Sequence, residues 1–186
     1  MKGKIRILGF AGSLRKGSYN RMALREAARL APPNAEVEIF DLEGIPVFNQ
    51  DNEAVERMPE RVKEFKAKIK AADAILISTP EYNYSVPGVL KNAMDWASRP
   101  YGDNSFEGKV AGIMSASGGM AGGSKAQYHL RQTFVFLNVH ALNRPEVIIP
   151  LVSEKFDKDG NLTDEKTRSK ISELLAELTV FASRFE

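Results

Sequence analysis

The sequence contains no cysteine and only two histidines, His129 and His140, among its 186 residues. The absence of cysteine excludes disulfide bonds, thiolate catalysis and cysteine-ligated zinc or iron–sulfur centres, and it suits a reducing compartment. Two histidines are too few for the metal sites that imidazole clusters form. We therefore expect a protein that binds no metal.

Long hydrophobic runs and an excess of one charge are also missing. No run of about eighteen apolar residues could span a bilayer, and the apolar N-terminal stretch is too short and too charged for a signal peptide. The 26 basic and 24 acidic residues leave a net charge of +2, which gives no basis for a nucleic-acid surface. We expect a cytoplasmic protein without membrane or nucleic-acid partners.

The rest of the composition is typical of one globular domain over residues 1–186, with 43% hydrophobic residues to form its core. Strand-like runs rich in Val, Ile and Leu alternate with segments of helical period. The predicted strands are residues 5–10, 36–42, 74–79, 110–115 and, as part of a fifth strand, 146–149. The predicted helices are residues 18–30, 59–71, 87–98, 124–138 and 164–185.

This alternation predicts an α/β fold, a doubly wound parallel sheet with helices on both faces. Ligands of such sheets bind beyond the carboxyl ends of the strands, where the strand order reverses. The loops after the first, third and fourth strands are the least core-like stretches of the chain. We name them L1 (residues 11–20, AGSLRKGSYN), L3 (80–88, PEYNYSVPG) and L4 (115–124, SASGGMAGGS).

L1 has the composition of an anion site at a helix N-terminus. The hydroxyls of Ser13 and Ser18 and the amide of Asn20 can donate to phosphate oxygens, and Arg15 adds a charge-assisted contact. Neither a Walker A motif nor the dinucleotide fingerprint occurs. A single phosphomonoester such as that of FMN is what this loop predicts, with a plain helix cap as the alternative.

L3 and L4 are suited to a flat heterocycle with polar edges. Tyr82 and Tyr84 can offer stacking faces and Asn83 can pair with an amide-like edge, although an exposed turn is an equally good interpretation of L3 alone. Glu81 could be read as a general base, but it has no partner carboxylate in the motif. The glycines of L4 leave backbone accessible, as the close approach of a ring requires, unless L4 is simply flexible.

These three motifs resemble those of the NAD(P)H-dependent FMN reductase family, which includes quinone, azo and chromate reductases. The matching residues are GSLR at 12–15 with Ser18 and Asn20, PEYN at 80–83 followed by PGVLKNAMDW at 87–96, and SASGG at 115–119. The resemblance runs from the first strand to about Pro150. It implies a flavodoxin-like five-stranded sheet of order 2-1-3-4-5.

The same resemblance implies FMN as the cofactor and NADPH or NADH as the electron donor. Its phosphate would lie near Gly12, Ser13, Arg15, Ser18 and Asn20. Its isoalloxazine ring would lie among Pro80, Glu81, Tyr82, Asn83, Tyr84, Ser85, Ser115, Ser117, Gly118 and Gly119. No side chain is predicted to act as a catalytic acid or base, because the flavin carries the chemistry.

The function that follows is a ping-pong transfer of two electrons from the nicotinamide through FMN to a quinone, flavin, azo compound or metal oxyanion. One alternative is a flavodoxin-type electron carrier, although such carriers usually have a strongly acidic surface and this chain is nearly neutral. Another is a regulatory domain that binds a phosphate ligand without turnover, which the fold alone does not exclude.

The resemblance also implies a homodimer or homotetramer. As a separate prediction of our own, Lys125, Tyr128 and Glu146 form a polar network between dimers. Trp96 is interpreted as a core or subunit-interface residue. The two histidines, together with Phe134, Val135, Phe136 and Leu137, are interpreted as packing residues. The apolar length of the helices at 89–96 and 128–137 also suggests that some of their faces bury against another subunit.

Overall fold

A six-stranded parallel sheet forms the centre of the computed structural model, which describes residues 3–185. Its strands are β1 (Ile5–Ala11), β2 (Ala35–Phe40), β3 (Ala74–Thr79), β4 (Val110–Ala116), β5 (His140–Ala141) and β6 (Val147–Ile149). The helices are α1 (Tyr19–Arg29), α2 (Glu60–Ala71), α3 (Gly88–Ala97), α4 (Ser124–Leu137) and α5 (Glu165–Ala182), with short 3-10 turns at Gln50–Asn52 and Val152–Glu154.

The strand order is β2-β1-β3-β4-β5, and β6 also pairs with β4. The predicted order 2-1-3-4-5 is therefore confirmed. Every residue of β3 and β4 is buried, which explains why their sequences, AILIST and VAGIMSA, lack the polar alternation of half-exposed strands.

The fifth strand is interrupted, which the sequence analysis did not predict. Val110 of β4 pairs with His140, whereas Met114 pairs with Val147, so three more residues lie on the outer strand than on β4 over this stretch. Pro145 lies in the intervening segment and has no N–H to donate to the ladder. The edge therefore consists of two short strands, of which only the second overlaps the predicted residues 146–149.

Helices cover both faces of the sheet. Leu24 of α1 and Leu174 of α5 belong to one apolar cluster, while Phe65 of α2, Leu90 of α3 and Phe134 of α4 belong to the cluster on the other face. Each predicted helix lies within three residues of an observed one. No helix between residues 3 and 185 has both the length and the apolar character needed to cross a membrane.

Trp96 is a core residue of the single chain. It is 1% exposed, and its Nε1 donates to the carbonyl oxygen of Pro46 at 2.8 Å. Val135 and Phe136, by contrast, are 83% and 81% exposed, so their interpretation as packing residues within the single chain was wrong, and burial against another subunit stays a prediction. They lie on the face of α4 that points away from the sheet, whereas Phe134 and Leu137 point into the core.

Candidate functional site

L1, L3 and L4 meet at the carboxyl edge of the sheet, because β1, β3 and β4 are neighbours there. Between them lies a cleft of about 300 Å³, which we call the main cleft. Nine of the predicted site residues line it: Ser13, Arg15, Ser18, Asn20, Pro80, Glu81, Tyr82, Ser117 and Gly118.

L1 is packed closely against the start of α3. The amide of Gly12 donates to the carbonyl oxygen of Ser78 at 2.9 Å, and a Cβ at Gly12 would lie 3.0 Å from Cγ of Pro87. Ser18 caps α1, with its Oγ accepting from the amide of Arg21 at 3.4 Å. The cap and the predicted phosphate contact are compatible, since a hydroxyl that accepts one hydrogen bond can still donate its own proton.

Asn20 lines the main cleft and also bonds to the protein itself. Its Nδ2 donates to the carbonyl oxygen of Ala116 at 2.9 Å, and its Oδ1 accepts from the amide of Ala116 at 3.0 Å and from Oγ of Ser78 at 3.1 Å. The side chain is 2% exposed. Asn20 thus joins L1 to the ends of β3 and β4 through Oδ1 and one N–H of Nδ2, and its predicted contact with phosphate stays a prediction.

Residues 82–85 of L3 form a tight turn. The amide of Tyr82 donates to the carbonyl oxygen of Ser85 at 3.1 Å, and the reverse bond measures 2.9 Å. The two central residues, Asn83 and Tyr84, have φ angles of 51° and 65°, a left-handed conformation that a tyrosine rarely adopts. Such strain is typical of functional loops, where surrounding contacts impose it.

Three side-chain contacts fasten this turn to α4. Nζ of Lys125 lies 3.5 Å from the centre of the Tyr84 ring, and Nδ1 of His129 lies 3.0 Å from Oγ of Ser85. Oε2 of Glu81 accepts from the amides of Lys125 and Ala126 at 2.9 and 3.2 Å. His129 is therefore an exposed polar contact, and only His140, stacked 4.5 Å from Phe185, is the packing residue that we predicted.

Glu81 supplies the cap that α4 lacks. The residue before this helix is Gly123, which has a φ of 89° and no side chain to bond the first-turn amides. A carboxylate at this position satisfies two free N–H groups and interacts favourably with the positive end of the helix dipole. The contacts give Glu81 a structural role and do not require the general-base interpretation.

L4 contains two kinds of glycine. A Cβ at Gly122 would lie 2.5 Å from Cγ2 of Ile148, and one at Gly123 would lie 2.8 Å from Cβ of Ser115, so no side chain fits at either position. At Gly118 and Gly119 a Cβ would meet nothing within 4 Å. The first pair allows L4 to pack on the sheet edge, and the second leaves bare backbone facing open space.

Six predicted site residues do not line the main cleft: Gly12, Asn83, Tyr84, Ser85, Ser115 and Gly119. Ser115 is fully buried, and its Oγ accepts from Nε2 of Gln127 at 2.8 Å. The cleft also includes Ala116, which lies within the predicted stretch 115–119, and three residues that sequence reasoning missed: Tyr19, Val152 and Ser153. Val152 and Ser153 follow β6, so the rule applied to L1, L3 and L4 would have found them had the fifth strand been included.

The residues of the main cleft fit a planar phosphomonoester. Hydroxyls, a guanidinium and a helix N-terminus converge at L1, which is the donor set that a phosphate needs. The open backbone at Gly118 and the exposed ring of Tyr82 bound the other end. This arrangement has the charge and the shape for FMN.

The sheet order and the position of the main cleft define a flavodoxin-like protein. Residues 5–154 match the sequence profile of the NADPH-dependent FMN reductases. The chain belongs to this family, as the motifs predicted. FMN as cofactor and NAD(P)H as the donor are confirmed with it.

Individual relatives match over almost their entire length. A NAD(P)H-dependent FMN reductase of Pseudomonas aeruginosa is 51% identical over 184 residues, covering 99% of this chain and 98% of the relative. A NAD(P)H:quinone oxidoreductase of Solanum tuberosum is 43% identical over 187 residues, covering 98% and 95%. The solved structure of FerB, a flavoenzyme NAD(P)H:(acceptor) oxidoreductase from Paracoccus denitrificans, superposes with a TM-score of 0.87 at 34% identity, covering 97% of this chain and 98% of FerB.

Proposed function

We propose that this protein is an FMN-dependent NAD(P)H:quinone oxidoreductase that works by a ping-pong mechanism. The observation that carries the proposal is the composition of the main cleft. L1, which has the donors that a phosphate needs, lines one end, and the turn of L3 that begins at Tyr82 and the open backbone at Gly118 line the other. When bound, FMN supplies two-electron chemistry, taking a hydride equivalent from the nicotinamide and returning two electrons to the acceptor. Because both reactants need the same open face, they would bind in turn.

The role of the protein's own residues would be to bind the flavin and to orient it. Ser13, Ser18 and Arg15 would hold the phosphate at the N-terminus of α1, since their donors converge there. Pro80, Tyr82 and Gly118 would bound the ring, because they line the other end of the cleft. No side chain has to move a proton for the hydride step, so catalysis rests on positioning.

A quinone is the acceptor that we favour. Tyr82 and Tyr84 are 49% and 67% exposed, and their rings can pack against another flat ring that approaches the open face. The name of the Solanum relative, a quinone oxidoreductase, supports this choice. Flavins, azo compounds and metal oxyanions are further acceptors that the same open face would admit, and the cytoplasmic location stays a prediction.

The test starts from protein stripped of flavin. FMN is added, unbound flavin is removed by desalting, and NADPH and then a benzoquinone are added anaerobically while the flavin absorbance is recorded. We expect retained flavin that bleaches with NADPH and recovers with the quinone. Parallel initial-rate lines at varied donor and acceptor concentrations would support the ping-pong order, and intersecting lines would contradict it.

Arg15→Ala and Ser13→Ala test where the phosphate binds. We expect each to weaken FMN binding by about tenfold, because each removes a hydrogen bond to an anion. Riboflavin, which lacks the phosphate, is the matched ligand control and should bind both variants as it binds the wild type. In the desalting experiment on the wild type, flavin that stays bound but is not bleached by NADPH or NADH would favour the electron carrier instead.

We also propose that the chain forms a homodimer through the exposed end of α4. Val135 and Phe136 stand out from this helix, and Phe136 and Tyr101, the latter 79% exposed, line a cavity of about 400 Å³. Exposed apolar groups that are this close together are typical of an interface. Tyr128 donates to Glu146 at 3.3 Å within one chain, so a network between dimers that includes them stays a prediction.

A further inference from the structure

A second cavity lies beside the main cleft, at the carboxyl ends of β1 and β2. It has a volume of about 200 Å³, and its surface is largely apolar, formed by Ala11, Leu24, Ile39 and Phe40. We call it the β2 cavity. The proposed electron transfer makes no use of it, yet it opens at the same edge of the sheet where the cofactor binds.

Charged side chains surround this apolar surface. Arg21 is bonded to the carboxylate of Asp41, and its Nη1 also contacts the carbonyl oxygen of Leu14 at 3.4 Å. Arg25 also lines the cavity and is exposed. Within residues 3–185, no carboxylate forms an ion pair with Arg25. Its guanidinium is therefore free to bind an anion at the mouth of the β2 cavity.

The β2 cavity and the main cleft share one lining residue. Ser13 lines both of them. In the sheet, β2 lies on one side of β1, and β3 and β4 lie on the other. The proposed phosphate position at L1 is therefore between the two spaces, with the flavin ring on one side and the β2 cavity on the other.

The chemistry of the β2 cavity matches a nucleotide. Its apolar walls can take the faces of a purine ring, and Arg25 at its mouth can bind a phosphate that continues from the flavin phosphate. FMN, which has one phosphate and no purine, would contact neither the apolar walls nor Arg25. The molecule that has a second phosphate and a purine joined to the flavin phosphate is FAD.

We propose that the β2 cavity is a subsite for the adenosine phosphate half of FAD, so that the protein binds FAD as well as FMN. The inference rests on the proposed function, because it takes the flavin phosphate to lie at L1. Nicotinamide donors carry the same adenosine phosphate group. FAD is the better source, since the residue that the two spaces share, Ser13, belongs to the proposed phosphate end of the cleft and not to the open face of the ring.

The test compares FMN and FAD binding to the same flavin-free protein by flavin fluorescence. Ile39→Trp places a large ring at an exposed edge position, 43% exposed, that lines the β2 cavity, and Arg25→Glu reverses the free charge. We expect FAD affinity to fall by about tenfold in each variant while FMN affinity changes by less than about twofold. Retained FMN binding also shows that each variant is folded.

Val180→Trp is the matched control, because Val180 is a 49% exposed apolar residue of α5 that does not line the β2 cavity. It should leave both affinities unchanged. A wild-type protein that binds FMN but not FAD, or variants that bind FAD as the wild type does, would overturn the subsite while leaving the proposed function intact. Failure to bind either flavin would refute the proposed function itself.

A second readout separates the two sources of adenosine phosphate. The KM for NADPH is measured with FMN-loaded wild type and Arg25→Glu. An unchanged KM together with lost FAD affinity supports the FAD subsite. A raised KM with FAD affinity retained would assign the β2 cavity to the nicotinamide donor and overturn our proposal.

Discussion

Asn20 shows what a single buried amide contributes to this cleft. It bonds both backbone groups of Ala116 and the hydroxyl of Ser78, and thereby holds L1 against the start of L4. Backbone groups buried away from water need such partners, because an unpaired one loses its hydration without compensation. The distance between the phosphate end and the ring end of the cleft therefore depends on this side chain.

Asn20→Ala should destabilise the flavin-free protein by about 2 to 3 kcal/mol, because it leaves the amide and the carbonyl of Ala116 buried and unpaired. Urea unfolding, monitored by circular dichroism, measures the change in the free energy of unfolding. Asn34→Ala is the control, since Asn34 is exposed and should lose less than about 0.5 kcal/mol. Equal stability of the two variants would show that Asn20 does not clamp the loops.

Serine, asparagine and arginine in L1 were enough to predict from the sequence that this loop lines the cleft. The residue types alone do not show which of these side chains form hydrogen bonds to the protein itself. Asn20 and Ala116 are 96 residues apart, so their contact exists only once β1 and β4 have been placed. In the local sequence, a polar residue that bonds to a distant backbone group cannot be distinguished from one that binds a ligand.

At the scale of secondary structure, α4 begins without a cap of its own and receives one from L3. Glu81 lies 44 residues before Lys125, whose amide it bonds. No capping box or N-cap residue in the chain near Gly123 indicates this arrangement. The sequence located L3 and L4 correctly at the carboxyl edge, whereas their connection through a carboxylate depends on the tertiary fold.

Glu81→Ala should destabilise the protein by about 1 kcal/mol, the usual cost of losing an N-cap, and should speed hydrogen exchange at the amides of Lys125 and Ala126. Glu81→Gln, which keeps one acceptor oxygen, should lie between the wild type and the alanine variant. Glu60→Ala is the matched control, because Glu60 is also in a first helical turn but is 88% exposed and pairs only with Lys63. Unchanged exchange at Lys125 and Ala126 would rule out the cap.

Asp164 caps α5 and gives this helix a pH dependence. Hydrogen bonds from Thr167, followed by the contact with Lys155, lower the pKa of Asp164 below its ordinary value of 3.8. A lowered folded-state pKa means that the stabilisation is complete above about 3.8 and is lost as the pH falls through the lower value.

Asp164→Asn keeps the capping oxygen and removes the charge. We expect it to be less stable than the wild type at pH 7. This difference should shrink as the pH falls below about 3.8, the ordinary pKa, and should close once the pH has passed the lowered folded-state pKa, where the wild-type carboxylate becomes protonated. Urea unfolding over this pH range makes the comparison. A difference that stays constant down to the lowest pH would contradict the linkage.

At the scale of the whole molecule, the two faces of the sheet are closed by helices, while the end of α4 remains apolar and exposed. Phe136→Glu should convert a dimer to a monomer in multi-angle light scattering, because a carboxylate cannot be buried there without a partner. Val180→Glu on α5 is the control and should keep the wild-type mass. A dimeric Phe136→Glu variant would mean that another surface forms the contact.

The whole-molecule architecture was the most predictable level. Four of the strands and all five helices follow from alternation of apolar runs with helical periods, and the strand order follows from the family motifs. The interrupted edge strand was missed because β5 has only two residues, His140 and Ala141, which is too short for any periodic pattern. Val135 and Phe136 were assigned to packing within the chain because apolar residues in a helix suggest burial, and the sequence could not say which of them face away from the sheet.

Because L3 caps α4, the loops of this cleft cannot be exchanged one at a time for those of a related protein. Exchanging residues 80–88 for the equivalent loop of another reductase would also replace the group that satisfies the amides of Lys125 and Ala126. A grafted loop without a carboxylate at that position would leave α4 frayed beside the ring. Loop transplantation in this fold therefore has to treat L3 and the first turn of α4 as one unit, although 44 residues of chain separate them.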